Sequence, residues 1–349
     1  MTQTKIAGIG MYVPANVVTN NDLAQVMDTS DAWILERTGI TQRRYATRFE
    51  ETSAIMGVKA AKIAIENAGI TAQDIDFIVF ATLSPDYYFP GCGVLLQRMM
   101  NMKEIAALDI RNQCTGFIYG LSIADQFVKT GMYKNVLLVG AEVHSYGLDF
   151  SNKGRNVSVI FGDGAGAVVL QPASKQGQGI LSTHLHSNGN GAEVLSMINP
   201  GFHGGCYNAE KKPQQPAKPY GNMFITPDRI RQDDFYPFMD GQSVFKKAVE
   251  KFPEVIQEAL QANGYKANDI NMLIPHQANL RISQFVQHKL QLRDDQVYNN
   301  IQRYGNTTAA SIPIALYEAW QEGKIKEGNL VCLAAFGSGY TWGSALIRW

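Results

Sequence analysis

The sequence has few cysteines, no excess of charge of either sign and no long hydrophobic run. Its 349 residues include 31 basic and 31 acidic side chains, so the formal net charge is zero. A neutral chain lacks the basic surface that is typical of nucleic-acid-binding proteins and of polybasic membrane proteins. Apolar runs such as 136–139 are far shorter than the roughly 20 residues of a membrane-spanning helix. The sequence therefore predicts neither nucleic-acid binding nor membrane insertion.

Cysteine usage indicates a reducing compartment. The four cysteines (Cys92, Cys114, Cys206 and Cys332) are scattered, with no CxxC pair and no histidine cluster beside them. This pattern fits neither a disulfide scaffold nor a zinc site. The opening MTQTKIAGIGMYVP has one Lys and an apolar run broken by Gly and Pro, which matches a secretory signal poorly. We expect a cytoplasmic protein, in which a single cysteine can be a nucleophile.

The hydrophobic pattern is typical of an α/β fold. Hydrophobic residues make up 45% of the chain, which is ample for a large core. Short apolar runs alternate with segments of helical periodicity, and several predicted helices end at Gly. The runs lie at 77–83, 136–139, 165–170, 272–274 and 330–335. Unbroken apolar strands between helices predict sheets that are covered on both faces.

The chain contains an internal repeat. Residues 67–79, NAGITAQDIDFIV, resemble 262–274, ANGYKANDINMLI, at an offset of 195. DIRNQCTG at 109–116 matches IQRYGNTT at 301–308, at an offset of 192 that persists along the following helical segment. Matching blocks in the same order indicate a duplicated unit.

The repeat predicts two pseudo-symmetric halves, 1–172 and 173–349. It places Cys114 of the first half at the position of Asn306 in the second. His276 follows the apolar run at 272–274, and ligands of α/β proteins bind at the carboxyl ends of strands. We therefore expect these three side chains to meet at one interface.

Cys114 precedes a segment of helical periodicity, so it would lie at a helix start. Free N–H groups and the dipole at that end stabilise a thiolate and can form an oxyanion hole. The alternative is a small cysteine that only fills core space. That second interpretation is applied to Cys92, Cys206 and Cys332.

His276 and Asn306 each allow two interpretations. A lone His is commonly a hydrogen-bonded structural residue, and an Asn after Gly is commonly a turn or cap residue. Together, a neutral imidazole N–H and an amide N–H would form a side-chain oxyanion hole suited to an enolate. The structural interpretation is kept for His144, His184, His186, His203 and His288.

Five segments give the chain a resemblance to a known family. They are SDAWILERTGITQRR, DIRNQCTGFIYGL, IPHQANLRI, RYGNTTAASIPIAL and AAFGSGYTWGSALIRW. They resemble the β-ketoacyl-acyl-carrier-protein synthase III family of the thiolase superfamily. The resemblance implies a thiolase-like αβαβα layered fold, a homodimer and the catalytic set Cys114, His276 and Asn306. It also implies condensation of an acyl group from acyl-CoA with malonyl-acyl-carrier protein, which starts fatty-acid synthesis. Both thioesters are substrates, and no cofactor is expected.

The resemblance also carries over binding residues one by one. For CoA these are Trp33, Arg37, Lys153, Gly241, Phe245 and Asn279, although an Arg is commoner than Lys at position 153. For the carrier protein they are Gln277 and Arg281, and Lys246, Lys247 and Lys289 would extend a basic patch beside them. The backbone of Ser338 would join that of Cys114 in an oxyanion hole. Phe89 would line the acyl pocket of the partner subunit.

One segment departs from the family pattern. Residues 201–238 form a long polar insertion that leads into the predicted helix carrying Gly241 and Phe245. Five apolar side chains in it could fold over the binding tunnel as a lid: Phe202, Tyr207, Tyr220, Met223 and Phe224. The alternative is a surface insertion without a catalytic part.

Two other functions stay open on the sequence. One is a related condensing enzyme of secondary metabolism that uses a longer or aromatic acyl donor. The other is a CoA- or carrier-protein-binding module that has lost catalysis, against which the joint presence of Cys114, His276 and Asn306 argues.

Overall fold

The computed structural model describes residues 3–198, 200–201 and 235–349. Most of the 201–238 insertion, with its proposed lid residues, and also His203 and Cys206 lie outside the described residues. Within the described ranges, no helix combines the length and the hydropathy needed to cross a membrane.

The described residues form strands and helices that alternate along the chain. The strands are β1 (Thr4–Tyr12), β2 (Val17–Thr19), β3 (Gln42–Arg44), β4 (Phe77–Ala81), β5 (Ala106–Ile110), β6 (Val136–Glu142), β7 (Gly164–Pro172), β8 (Gly179–Ser187), β9 (Leu195–Ser196), β10 (Phe238–Met239), β11 (Met272–Pro275), β12 (Leu330–Gly337) and β13 (Thr341–Arg348). The helices are α1 (Asn20–Ala24), α2 (Asp31–Thr38), α3 (Ser53–Asn67), α4 (Cys92–Met99), α5 (Gly116–Lys129), α6 (Arg155–Ser158), α7 (Gly241–Ala262), α8 (Leu280–Lys289), α9 (Ile301–Tyr304) and α10 (Ser311–Gln321).

Two mixed sheets share one topology. The first has the order β1-β7-β6-β4-β5 and the second the order β8-β13-β12-β11. In each sheet the first two pairings are antiparallel and the next is parallel. Four of the five apolar runs lie wholly on these strands, and 77–83 begins with β4 and extends two residues past it. Strands β4, β6, β11 and β12 are buried along their whole length. The shared order confirms a fold of two pseudo-symmetric halves.

The two sheets are separated by a central helical layer. Helices α5 and α10 each contact strands of both sheets. Helix α3 packs on the outer side of the first sheet and α7 on that of the second. The apolar residues between the sheets form the largest core cluster, which includes Phe117, Ile118 and Leu316. The predicted five-layered αβαβα arrangement is therefore confirmed.

The repeat extends to backbone conformation around the predicted site. Gln113 and Gly305, 192 residues apart, both have positive φ, at 44° and 64°. Each comes directly before a predicted catalytic residue. Gln113 begins the 3₁₀ turn Gln113–Thr115, Gly305 precedes the 3₁₀ turn Thr308–Ala310, and both turns continue into a central helix. Both halves thus have a residue of positive φ directly before the predicted catalytic residue.

Two glycines let the strands approach these turns closely. A Cβ on Gly140, in β6, would lie 2.4 Å from the carbonyl oxygen of Ala309. A Cβ on Gly337, at the end of β12, would lie 2.5 Å from the Cβ of Cys114. Any side chain at either position would push a turn away from its strand, so both turns depend on glycine for their place.

Candidate active site

Cys114 lies in the 3₁₀ turn Gln113–Thr115, directly before α5, as the helical periodicity predicted. Its side chain is buried. The backbone N–H groups of Ser338 and of Cys114 itself lie near its sulfur and lower the pKa of the thiol. They are the pair predicted to form a backbone oxyanion hole.

The thiol is less acidic than its helix-start position suggests. Burial, with a smaller contribution from the charge of nearby Glu142, raises the pKa of Cys114 to about 12, although the two backbone N–H groups act to lower it. Glu142 is itself fully buried, and burial raises its pKa to about 7. At neutral pH the resting nucleophile is therefore a thiol and not a thiolate.

His276 follows β11 directly and is almost fully buried. Its Nδ1 lies 2.6 Å from the hydroxyl oxygen of Ser311, while its Nε2 is buried with no hydrogen-bond partner in the described residues. The N–H of Gln277 donates to the same hydroxyl oxygen at 3.4 Å. If the Ser311 hydroxyl donates its proton to Nδ1, the imidazole proton lies on Nε2.

The imidazole of His276 is neutral. Burial lowers its pKa to about 3, with a smaller contribution from His144. A neutral ring with a proton on Nε2 is a hydrogen-bond donor without a charge. This is the form that a side-chain oxyanion hole requires.

Asn306 is held by the turn that follows it. The backbone N–H of Thr308 donates to its Oδ1 at 2.8 Å, and its own backbone N–H donates to the carbonyl of Ile160 at 2.9 Å. With Oδ1 occupied, the amide Nδ2 is the group left for a ligand. The side chain is therefore oriented as a donor.

Two cavities meet at Cys114. The first, of about 510 Å³, is lined by all three predicted catalytic residues. The second, of about 440 Å³, contains Cys114 and Ser338 but neither His276 nor Asn306 among its lining residues. A thioester at Cys114 would therefore have a separate space on each side.

The first cavity contains most of the residues predicted to bind CoA. Trp33, Arg37, Gly241, Phe245 and Asn279 line it, and Arg281 lies there too. The Asn279 amide donates to the carbonyl of Arg37 at 2.9 Å, which ties the two predicted contacts together. The structure thus brings these residues to one tunnel that ends at the catalytic groups.

Neither Lys153 nor Arg155 lines either cavity, but Arg155, which the sequence reasoning missed, lies beside Trp33, which does line the first cavity. The guanidinium carbon of Arg155 is 5.3 Å from the indole centroid, and that of Arg37 is 4.7 Å away. Arg155 also forms an ion pair with Asp28 at 3.5 Å. A planar guanidinium stacks on an indole better than an ammonium does, which is the sequence signal that favours Arg155 over Lys153.

The prediction that Gln277 contacts a carrier protein is wrong. Its side chain is 3% exposed, and its Nε2 donates to the carbonyl of Pro275 at 2.7 Å. Its Oε1 accepts from the backbone N–H groups of Asn300 and Ile301. Because these bonds lie inside the chain, Gln277 fastens the loop after β11 and does not reach the surface.

The basic residues predicted beside it differ in their surroundings. Arg281, Lys246 and Lys289 are exposed, and Arg281 lies at the first cavity. Lys247 is partly buried and pairs with Glu250 at 2.9 Å. Of the four cations, Lys247 is therefore the least available to an acidic partner.

His144, which the sequence reasoning treated as structural, belongs to the site. It is buried on the second cavity, and its Nε2 lies 2.6 Å from the hydroxyl of Thr308. The backbone N–H of Thr308 in turn holds Asn306, so His144 supports the predicted catalytic amide through one intermediate residue. The overlooked signal is its place two residues after the apolar strand β6, which resembles that of His276 after β11.

Phe89 lies on the outer surface, close to the second cavity. It is 81% exposed and makes an edge-to-face contact with Tyr88, which lines that cavity. Strand β5 lies at the edge of its sheet, with no strand paired on its outer side among the described residues.

Family models and a curated relative point to the same family of proteins. Residues 108–189 match the family model described as 3-oxoacyl-[acyl-carrier-protein (ACP)] synthase III, and 260–349 match the model of its C-terminal part. The chain is 44% identical over 345 residues to the β-ketoacyl-[acyl-carrier-protein] synthase III of Yersinia pseudotuberculosis. The match covers 99% of both chains.

Solved structures of related enzymes are similar to this chain in fold and in sequence. The crystal structure of 3-oxoacyl-[acyl-carrier-protein] synthase III from Aquifex aeolicus is similar with a TM-score of 0.86 and 41% identity. It covers 99% of this chain and 100% of its own. The priming β-ketosynthase of the R1128 polyketide pathway has a TM-score of 0.85 at 29% identity, covering 99% of this chain and 96% of its own.

Proposed function

The chain belongs to the 3-oxoacyl-[acyl-carrier-protein] synthase III family, and we propose that it condenses an acyl group from acyl-CoA with malonyl-acyl-carrier protein. The observation that carries this proposal is the meeting of two cavities at Cys114, with His276 and Asn306 on one side only. The test is formation of a 3-oxoacyl-carrier protein, with release of CO₂ and CoA, from these two substrates.

In the first half-reaction CoA occupies the first cavity and its acyl chain the second. The sulfur of Cys114 attacks the thioester carbonyl, the C–S bond to CoA breaks, and the thiol proton leaves with CoA as its thiol. The N–H groups of Cys114 and Ser338 bind the oxyanion of the tetrahedral intermediate. The raised pKa of the thiol implies that its proton moves only as the attack proceeds.

In the second half-reaction malonyl-carrier protein takes the place of CoA. Loss of CO₂ leaves an electron pair that spreads onto the thioester oxygen as an enolate. The Nε2 proton of His276 and the Nδ2 protons of Asn306 can bind that oxygen. Ser311 orients the imidazole through its contact with Nδ1, and the backbone N–H of Thr308 orients the amide by donating to Oδ1. The enolate carbon then attacks the acyl-Cys114 carbonyl, the C–S bond breaks, and the thiolate of Cys114 takes a proton from solvent to restore the resting thiol. No step needs a resident cofactor.

Fatty-acid synthesis is favoured over secondary metabolism by similarity. The relatives named as β-ketoacyl-[acyl-carrier-protein] synthase III are 42–44% identical over nearly the whole chain, against 29% for the polyketide ketosynthase. A binding module without catalysis does not require the oriented donors of His276 and Asn306.

We further propose a cytoplasmic homodimer. The open edge at β5 and the exposed aromatic rings of Tyr87, Tyr88 and Phe89 offer a surface for a second copy. Such a surface would bring Phe89 to the partner's acyl cavity, as the family resemblance implies.

The carrier-protein contact can be tested at Arg281. Arg281→Glu should raise the KM for malonyl-carrier protein about tenfold at low salt, because carrier proteins are acidic and the substituted charge repels them. Arg293→Glu is the control with the same change in charge, since Arg293 is exposed, lies outside both cavities and pairs with Asp295. Steady-state kinetics with the carrier protein varied would measure both. Equal KM values for the two variants would contradict the docking site.

The CoA contact can be tested at Arg155 and Lys153. Arg155→Ala should raise the KM for acyl-CoA several-fold, because the cation beside Trp33 is lost, and should leave the KM for malonyl-carrier protein near its starting value. Lys153→Ala is the paired variant, and kinetics with acyl-CoA varied is the measurement. A larger effect from Lys153→Ala would restore the assignment made from sequence.

A further inference from the structure

The side chain of Gln277 makes as many hydrogen bonds as a primary amide can. Its Nε2 donates to the carbonyl oxygens of Pro275 at 2.7 Å and Tyr298 at 3.3 Å. Its Oε1 accepts from the backbone N–H groups of Asn300 at 3.0 Å and Ile301 at 3.2 Å. Because an amide has two donor hydrogens and two acceptor lone pairs, all of them are used. The amide is therefore fixed in both place and orientation.

The two bonds at Oε1 fasten the start of helix α9. The first N–H groups of a helix have no partner within it, and a nearby side-chain oxygen commonly accepts from them. At the N-cap of α9, the side chain of Asn300 donates instead to Glu318 at 2.7 Å. Gln277 supplies the acceptor from the loop after β11. Asn300 and Ile301 are buried, as Gln277 is, so water does not replace these bonds.

Helix α9 leads directly to Asn306. It has about one turn, Ile301–Tyr304, and only Gly305 separates it from Asn306. The N–H of Gly305 donates back to the carbonyl of Ile301 at 2.9 Å. So short a connection has little freedom to absorb a movement of the helix. A shift at the start of α9 would therefore move the amide of Asn306.

The far end of the same segment returns to the neighbour of Gln277. The hydroxyl oxygen of Ser311 lies 2.6 Å from Nδ1 of His276 and accepts from the backbone N–H of Gln277 at 3.4 Å. Segment 300–311 is thus joined at both ends to two consecutive residues of one loop, with Asn306 between the two junctions.

We propose that Gln277 is a positioning residue that sets the separation between the two predicted side-chain donors, His276 and Asn306. This inference rests on the proposed condensing activity and adds a residue to it. Gln277 is not among the described residues that line either cavity, so it acts through these donors and not on the substrate. Misplacing reacting groups by about 1 Å can cost on the order of 10²-fold in rate.

Gln277→Met removes the clasp while nearly preserving size. A thioether has no N–H to donate and is a weak acceptor, so the two buried N–H groups at the start of α9 lose their partner. Gln296→Met is the matched control. Gln296 is 2% exposed, and its amide also bonds backbone groups, those of Ile270 and Arg293. It is likewise outside the described lining of both cavities.

The experiment measures decarboxylation of malonyl-carrier protein and acylation of Cys114 separately. Gln277→Met should lower kcat for decarboxylation by on the order of 10–10²-fold and change the KM for malonyl-carrier protein by less than about twofold. Acylation should stay near its starting rate, because its oxyanion is bound by backbone N–H groups. Gln296→Met should leave all three quantities unchanged.

A double-variant cycle shows whether Gln277 acts through Asn306. In an Asn306→Ala background one of the two donors is already absent, so Gln277→Met should then lower decarboxylation by less than about threefold. An equal effect of Gln277→Met in both backgrounds would overturn the proposal.

Three further results would overturn the positioning role while leaving the condensing activity in place. They are an unchanged decarboxylation rate in Gln277→Met, an equal loss in both half-reactions, and a raised KM for malonyl-carrier protein at unchanged kcat, which would return Gln277 to the carrier-protein contact. If Gln277→Met does not fold, Gln277→Asn, whose amide is one methylene further from α9, takes its place in the same measurements. Absence of condensation in the unaltered protein would instead reject the proposed function, and with it the role of Gln277.

Discussion

Replacement of Cys114 by Ala should abolish acyl transfer from CoA and with it the condensation. Loss of a covalent nucleophile costs on the order of 10⁶-fold in rate in enzymes of this kind of chemistry. Mass spectrometry of the unaltered protein after treatment with acyl-CoA should show one acyl group, located on Cys114. Cys114→Ala should show none.

The matched controls are Cys92→Ala and Cys332→Ala. Both cysteines are buried, as Cys114 is, but neither lines a cavity at the catalytic groups. Both variants should keep the adduct on Cys114 and most of the activity. An adduct on Cys92 or Cys332 in the unaltered protein would contradict the assignment.

The acidity of Cys114 gives this prediction a pH dependence. Because its pKa is raised to about 12, the thiolate fraction at neutral pH is small and grows tenfold with each pH unit. Alkylation by iodoacetamide should therefore keep accelerating from pH 7 to pH 10. A rate that levels off near pH 8 would show instead that the helix start lowers the pKa to an ordinary or lower value.

Cys114 shows a limit of sequence reasoning: its position at a helix start could be predicted, but the acidity of its thiol could not. Periodicity correctly predicted that Cys114 lies at a helix start, and from this a stabilised thiolate was expected. The sequence does not show that Cys114 is buried beneath Gly337 and Ser338, or that Glu142 lies near it. Desolvation depends on which distant segments pack over a group, and here it outweighs the helix end.

The convergence of the three predicted catalytic residues could be predicted because it follows from topology. A duplicated unit places equivalent turns face to face, and the equivalence of Cys114 and Asn306 needed only the offset of 192. His276 was found because it follows the apolar run at 272–274. The structure adds what fixes each group: Ser311 for His276 and Thr308 for Asn306.

Gln277 shows why neighbours of a correctly predicted residue are harder to assign. It lies between His276, which is buried, and Arg281, which is exposed, and its chemistry suits a surface as well as a core. Its burial depends on the backbone of Asn300 and Ile301, more than twenty residues further along the chain. Nothing local in the sequence specifies that contact.

The second large effect concerns Asn306 and the malonyl half-reaction. Asn306→Ala should lower decarboxylation of malonyl-carrier protein by roughly 10²–10³-fold, the usual cost of losing one oxyanion-hole donor. Transfer of the acyl group from CoA to Cys114 should persist, because its oxyanion is bound by backbone N–H groups. Release of labelled CO₂ and formation of the acyl-enzyme, measured separately, report the two steps.

Asn306→Asp distinguishes donation from support of the turn. The carboxylate can still accept from the backbone N–H of Thr308, so the turn keeps its anchor, but it has no proton to donate to the enolate. Its negative charge would also repel the developing oxyanion. If Asn306 acts as a donor, Asn306→Asp should be at least as slow in decarboxylation as Asn306→Ala. Recovery of most of the rate in Asn306→Asp would show that the side chain only holds the turn, and the side-chain oxyanion hole would then have to rest on His276 alone.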